Sequence, residues 1–237
     1  MAFIHGKNTN VLVDEFDLTA YLNQGSVSKK AQAVKTTVFG LDDHTYIGGL
    51  EEGSASLGGL FDGAASAVDE VLNTALGGTQ VVTVAWPGYA TIGNAAAMLQ
   101  SKQASYQIRA INNDAVRVNA GLTGDTGVRF GLILHPLVAR TAGANFTSVD
   151  NTASTSSGSV AQLHVTAFTG TNATVKVTDS TDDSIFADLH TFSSVSGVTS
   201  ERSTATGTVN RYARVELTGT FTTITFAVSF VRNKHTN

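Results

Sequence analysis

The sequence predicts a mainly β protein in two parts: a β-rich N-terminal part with one α-helix lying on its sheet, then a C-terminal antiparallel β-sandwich. Three observations carry this reading. Short runs rich in Val, Thr and Ile alternate apolar and polar residues with a period of two. One segment, AASAVDEVLNTAL (64–76), shows clear helical spacing instead. Composition also shifts along the chain: 18 of the 23 glycines lie in residues 1–144, whereas the last 93 residues hold 33 Ser plus Thr against 19 before them.

In the N-terminal part, NVLVDE, SVSKKAQAVKTTVF, QVVTVAW, SYQIRAI, AVRVNAG and GVRFGLIL each read as strands. INNDAV supplies a hairpin turn between two of them, because Asn and Asp tolerate positive φ. The helix brings Ala65, Val68, Leu72 and Ala75 to one face, and Gly77 and Gly78 follow as its stop. GNAAAMLQSK predicts a second, shorter helix with Asn94 as N-cap. The glycines of GLTGDTG (121, 124 and 127) stand between strands and predict a hairpin loop; they are not placed to cradle a phosphate. Trp86 ends an apolar strand before Pro87 and is expected in the core or an interface.

ARTAGANFTSVDNTASTSSGSV is small, polar and aperiodic, and places a domain boundary close to Gly143, giving domains 1–143 and 144–237. Beyond it, Ala161, Leu163, Val165 and Ala167 alternate with Gln162, His164 and Thr166. Val175 and Val177 flank Lys176, and Ala213, Val215 and Leu217 oppose Arg214 and Glu216. Ile224, Phe226, Val228 and Phe230 complete the inward set. Such alternation predicts one wet face per sheet, with His164 solvated. Tyr212 and Phe192 are single aromatics, expected to pack rather than to stack on sugar.

Hydrophobic residues make up 42% and charged residues 14% of the chain, a sparse charge that suits faces covered by copies of itself. A net charge of −4 leaves no basic footprint for gripping nucleic acid. The absence of cysteine excludes disulfides and thiolate chemistry. MAFIHGKNTN does not read as a signal peptide, and no run of 18 apolar residues predicts a membrane helix, so no membrane insertion is expected.

Catalytic signatures are lacking: no G-x-S-x-G, P-loop, H-E-x-x-H or dinucleotide fingerprint occurs, and no enzyme or cofactor is expected. Asp42, Asp43 and His44, with Glu51 or Glu52, are metal-ligand types. Consecutive residues of an extended chain point to opposite faces, however, so three in a row converge only in a tight turn. DSTDDSIFAD (179–188) fails the calcium-loop pattern, since Ser184 holds the glycine position and His190 the final glutamate position. It reads as a hairpin turn. The six histidines show no ligand spacing, and Asp69 and Glu70 read as surface charge on the helix. No metal site is expected.

That leaves TTVFGLDDHTYIGGLEEGSASLGGLFDG (36–63). Ala55, Leu57, Gly59 and Phe61 alternate with Ser54, Ser56, Gly58 and Leu60 as a long strand with bare backbone positions. The preceding GLDDHTYIGGLEEG is too long for a tight hairpin and predicts a glycine-jointed loop that touches a neighbouring subunit. Its contact residues are Phe39, Leu41, Asp42, Asp43, His44, Tyr46, Ile47, Leu50, Glu51 and Glu52.

DLTAYLNQ (17–24), VSKKAQAVKTTVFG (27–40) and YIGGLEEGSASLGGLFDG (46–63) together resemble the major tail, or tail tube, proteins of long-tailed (siphophage-type) bacteriophages. Those proteins show a D-L-S-x-Y-L-like turn, a T-T-F-G strand end, a Y-I-x-G-L loop and an S-L-x-G-x-F-D strand in the same order. The likeness extends over about the first 140 residues and is concentrated in residues 9–63; Val38 interrupts T-T-F, and Glu51-Glu52 stands where one acid is commoner. The resemblance implies a β-sandwich or barrel with a flanking helix, six copies of which form a ring. Stacked rings would make a tube for double-stranded DNA, with the long loop reaching a neighbouring subunit or ring. It implies a virion protein, made in the host bacterial cytoplasm, whose partners are itself, other tail proteins such as tape measure and terminator, and DNA passing without specific binding. The N-terminal 144 residues carry 12 Asp plus Glu against 9 Lys plus Arg, a balance consistent with a non-adhesive channel. The C-terminal domain is expected to decorate the outside, with weak affinity for host-surface glycans as a further expectation. Competing readings are a capsid decoration protein and a carbohydrate-binding adhesion module.

Overall fold

A computed structural model describes residues 5–39 and 42–232. After a single 3-10 turn at Gly6–Asn8 come β1 (Asn10–Val13), β2 (Phe16–Asp17), β3 (Leu22–Lys35) and β4 (Tyr46–Leu60). The helix α1 (Val68–Thr74), β5 (Thr79–Trp86), β6 (Ala95–Arg109) and β7 (Arg117–Arg140) follow. The C-terminal half comprises β8 (Ala144–Asn145), β9 (Val149–Asp150), β10 (Ser159–Ser180), β11 (Ala187–Thr191), β12 (Thr199–Ala205) and β13 (Tyr212–Arg232). The strand ladders are antiparallel throughout, and the described residues are mainly β, as the alternating sequence predicts, with one α-helix among them.

Two apolar cores account for most of the burial. The N-terminal one gathers Val11 and Val13 of β1, Ala55 and Leu57 of β4, Val82 and Val84 of β5, and Ala97 and Leu99 of β6. Val118, Ala120, Leu122 and Val128 of β7 close it, Val68, Val71 and Leu72 of α1 cover it, and Trp86 packs against it half-buried. The helix is shorter than its sequence period suggests: Ala65 is exposed, and Gly77 in the left-handed region (φ 78°) ends the segment as expected. The C-terminal core takes Ala161, Leu163 and Val165 from the first part of β10 and Val175 and Val177 from its second part. Partners from both parts of β13 join them, including Val215, Leu217, Phe226 and Phe230, and Phe192 is buried among them. β10 and β13 are thus two long paired strands that fold over their own core. Gly170 (φ 157°) and Gly219 (φ 132°) sit in the middle of that paired ribbon, where the register shifts.

Several runs that read separately in sequence are single strands. Residues 93–102 form no helix: Ala95–Ser101 are the start of β6, paired with β5 on one side and β7 on the other. Alanine's helical preference is overridden because this strand is buried on both faces, with Ala97 and Leu99 in the N-terminal core and Ala96 packed beside Ile133 and Ala227. GLTGDTG is not a hairpin loop either. It lies inside β7, where pairing to β6 jumps from Leu99–Val128 to Ser101–Gly124, so Asp125–Gly127 bulge out of the ladder. The turns expected within INNDAV (111–116) and DSTDDSIFAD (179–188) are present, with Asn113 and Asp183 at positive φ.

β7 belongs to both halves. Its first part pairs with β4 and β6, and its end, from Leu132 to Arg140, pairs with β13. Between them, a side chain on Gly131 would run into the Phe230 carbonyl. Gly131→Ala should therefore destabilise the fold by about 1–3 kcal/mol, read as a lower urea midpoint with unchanged slope; an unaltered midpoint would show that the two strands can part at no cost.

The halves also meet across a buried polar seam. Thr83 of β5 places its hydroxyl 2.9 Å from Gln162 Oε1, 2.8 Å from His164 Nε2 and 3.2 Å from Ser229 Oγ. Gln162 Nε2 donates to the Leu99 carbonyl at 3.0 Å, and His164 Nδ1 lies 2.7 Å from the Asp14 carbonyl. A carbonyl only accepts, so Nδ1 carries the proton. His164 is therefore completely buried and not solvated as its polar-face position suggests. The second face of β10 is covered by the N-terminal half, and burial pushes the imidazole pKa down to about 4.

Candidate assembly surface

β3 and β4 pair over their whole length, from Leu22–Gly59 to Lys35–Tyr46. β4 is also paired to β7, but only from Ser54–Thr123 to Leu60–Arg117. Beyond Ser54, toward Tyr46, the hairpin pairs with no third strand among the described residues and continues as a two-stranded arm, eight residues of β4 (46–53) or roughly 25 Å long at the usual strand rise. Residues 46–53 are thus strand, and the expected long loop shrinks to 36–45. The glycines permit this: a side chain on Gly53 would meet Val128 Cγ2 at 2.6 Å, and one on Gly49 would meet Gln32 Cβ at 3.1 Å.

The predicted contact residues fall on this arm. Tyr46, Ile47, Leu50, Glu51 and Glu52 lie in β4, Phe39, Asp42, Asp43 and His44 lie at the tip, and Leu41 is outside the described residues. Ile47 is 58% and Leu50 78% exposed, Phe39 is fully exposed, and Val34, Val38 and Tyr46 are exposed beside them. Val34 and Ile47 are cross-strand partners on one face. A two-stranded ribbon in water is marginal by itself, and this one also bares six large apolar side chains.

Polar side chains of the arm hold it together. Thr36 N–H donates to the Thr45 carbonyl (2.8 Å) and Thr45 N–H to Thr37 Oγ1 (3.1 Å). His44 lies 3.4 Å from both Thr37 Oγ1 and Lys35 Nζ, with its ring edge-on to Tyr46. At the base, Glu51 receives Lys29 Nζ at 2.9 Å and Arg129 Nη1 at 3.4 Å, tying arm to body. Among the described residues, no three His, Asp or Glu side chains stand close enough to hold a metal ion. The acidic turn at 179–188 is consumed by its own hydrogen bonds: Asp182 accepts from the Ser184 and Ile185 amides and Ser180 Oγ, which lower its pKa, and Asp179 accepts from Asn210. Asp69 does more than sequence suggests. It accepts the Tyr106 hydroxyl at 2.5 Å, joining α1 to β6, and the phenol's pKa rises through burial and this carboxylate.

Two further features accompany the arm, and neither was legible in sequence. The outer face of β3, β4, β7 and β6, opposite the N-terminal core, has two central cross-strand rows without charge: Gln24, Gly58, Asn119 and Gln107, then Ser26, Ser56, Gly121 and Ser105. Charge stands at its margins, at Lys102, at the Lys30–Glu52 pair and at the Arg109–Arg117 pair. Among the described residues this four-strand sheet also has two open edges, because β3 pairs only with β4, and β6 beyond Gln103 only with β7. Such edges are templates for pairing with another chain.

No protein-family model matches the sequence, nor does any curated protein. Solved structures are similar to it in part. One is a chain of the virion of a native gene transfer agent particle, 18% identical with a TM-score of 0.42, the match covering 53% of this chain and 97% of that one. Another is the SPP1 tail tube, 11% identical with a TM-score of 0.45, covering 53% and 78%. A third is the SPP1 Dit protein, of the hub adsorption apparatus in phages infecting Gram-positive bacteria, 14% identical with a TM-score of 0.38, covering 94% and 99%.

Proposed function

We propose that this chain is a structural subunit of a phage tail tube, found in the virion, which assembles with itself into stacked rings around a DNA channel. The observation that carries the reading is the exposed apolar arm, which makes sense only when another surface covers it. The motifs of residues 9–63 supply the tail identity, and ring closure at six copies is what that resemblance implies. The two open edges of the β3–β4–β7–β6 sheet suit ring formation: they are different surfaces of one chain, so their pairing is heterologous and closes when the rotation allows. The uncharged central rows of the outer face suit the channel wall. Hydroxyls and amides hold no counterion-releasing grip on phosphate, so duplex DNA can slide past. Residues 144–237 are assigned as an outer decoration domain attached through β7 and the polar seam.

Negative-stain microscopy of the purified chain at rising concentration tests this. Hollow rings and tubes are expected, and tubes that do not retain duplex DNA at physiological salt. Particles that stay monomeric at every concentration would overturn the proposal.

A further inference from the structure

At its cationic margin, the outer face of the β3–β4–β7–β6 sheet holds a polar cavity. Arg117 of β7 and Arg109 of β6 are cross-strand partners, and the next row on the same face is Gln24, Gly58, Asn119 and Gln107. Residues 107 and 109, like 117 and 119, are two apart in a strand and so point the same way. A cavity of about 180 Å³ is lined by both arginines and by the three amide side chains of that row. Gly58 keeps it open, since a side chain there would stand 3.4 Å from Gln24 Oε1.

Like charges directly opposite across a ladder repel unless an anion offsets them. Asp114 does so in part, accepting from Arg117 Nη2 at 3.2 Å and Nε at 3.3 Å. That pairing and the Ala115 amide hold its carboxyl below the usual range, and the Arg109 charge adds to the effect. One carboxylate thus serves two guanidinium groups. The Arg109 side chain makes no hydrogen bond or ion pair among the described residues, and neither do the amides of Gln24 and Gln107. Ser56 donates to Asn119 Oδ1 at 3.3 Å, so Nδ2 is the end of that amide left free.

Unused donors around a small polar cavity call for a compact anion rich in acceptor oxygens. A phosphate group fits: one pair of its oxygens takes a guanidinium fork, and the others accept from amides. A carboxylate, with two oxygens, would only repeat what Asp114 already does.

We propose that Arg109 and Arg117, with Gln24, Gln107 and Asn119, form a phosphate-binding site, and that Asp114 holds its affinity down by competing for the guanidinium groups. The phosphate is either the free ion or a group in the backbone of duplex DNA. Only the second source rests on the tube reading above, in which this face lines the channel. With two positive charges against one negative in each copy, such a site grips DNA at low salt and lets it go at physiological salt.

Phosphorus NMR of inorganic phosphate tests the site on the full-length chain, dispersed or assembled. The phosphate resonance should broaden when the protein is added. Arg109→Gln should weaken binding about tenfold, the scale of one hydrogen bond to a charged group, and Arg109→Gln with Arg117→Gln should abolish the broadening. Asp114→Asn should tighten binding, a gain that a misfolded variant could not give. All three positions are exposed, and circular dichroism checks that each variant folds. A resonance that does not broaden, or that the double variant broadens as much as the parent does, would overturn the site. Labelled duplex DNA then assigns the source. Retention by assembled protein at about 0.01 M salt but not at about 0.15 M, lost in the double variant, names the DNA backbone; retention indifferent to the arginines names the free ion. A chain that forms no tubes overturns the tube reading, and the phosphate titration still decides the site.

Discussion

Acidification from pH 7 to pH 4 is expected to unfold the protein, because three buried histidines resist protonation in the fold. His135, His164 and His190 all have pKa values pushed down to about 4, burial being the main cause and the Arg140 charge adding to it at His135. His135 is stacked on Phe226 at 4.1 Å, His164 is held by Thr83 and Asp14, and His190 lies between Ser159 and Ser203. In the unfolded chain each returns to about 6.5. The unfolded state therefore binds more protons between those values, and stability falls as pH drops through that window. Above pH 6.5 the contribution is complete; near pH 4 each site has cost roughly 3 kcal/mol, and three such losses match the whole stability of an ordinary domain. Asp14 works against this trend: burial raises its pKa, so its protonation in acid returns some stability. Urea midpoints measured at pH 7.5, 6, 5 and 4.5 should drop steeply, and His164→Gln should flatten the slope by about one proton's worth. Midpoints that stay level from pH 7 to pH 5 would show that these imidazoles titrate freely.

Removing the arm is expected to abolish stacking and leave the fold untouched. The described residues among 32–50 contribute no side chain to either core, and the pairing of β4 with β7 ends at Ser54–Thr123. Their deletion removes Val34, Ile47 and Leu50 from the proposed joint, each worth about 1.5–3 kcal/mol when buried. That sum exceeds what a stacking contact can lose and persist at micromolar concentration. The shortened protein should keep its melting temperature while sedimenting as the unstacked unit. Tubes that form without the arm would move the joint elsewhere.

The sequence by itself determined the class of structure and most of its inward face. Alternation placed Ala55 and Leu57, Val175 and Val177, and Phe226 and Phe230 in the cores, because period-two burial is a local property that each strand carries alone. Gly77 marked the end of the helix and Asn113 the turn, since positive φ is also local. The residues proposed for contact at 39–52 stand out in the sequence as apolar and charged types that no core or catalytic motif absorbs. Tertiary structure alone decided what lies beside each strand. It merged Ala95–Arg109 into one strand against alanine's helical preference, carried β7 through its glycines into both halves, and ended the third strand at Ser54 so that a supposed loop became a ribbon. It also covered the second face of β10, turning His164 from a solvated residue into the centre of a seam with Thr83. The reason is physical: a pattern of side chains states which face is apolar, whereas pairing, and the burial of the opposite face, depend on partners 60 to 150 residues away whose positions exist only once the chain has folded.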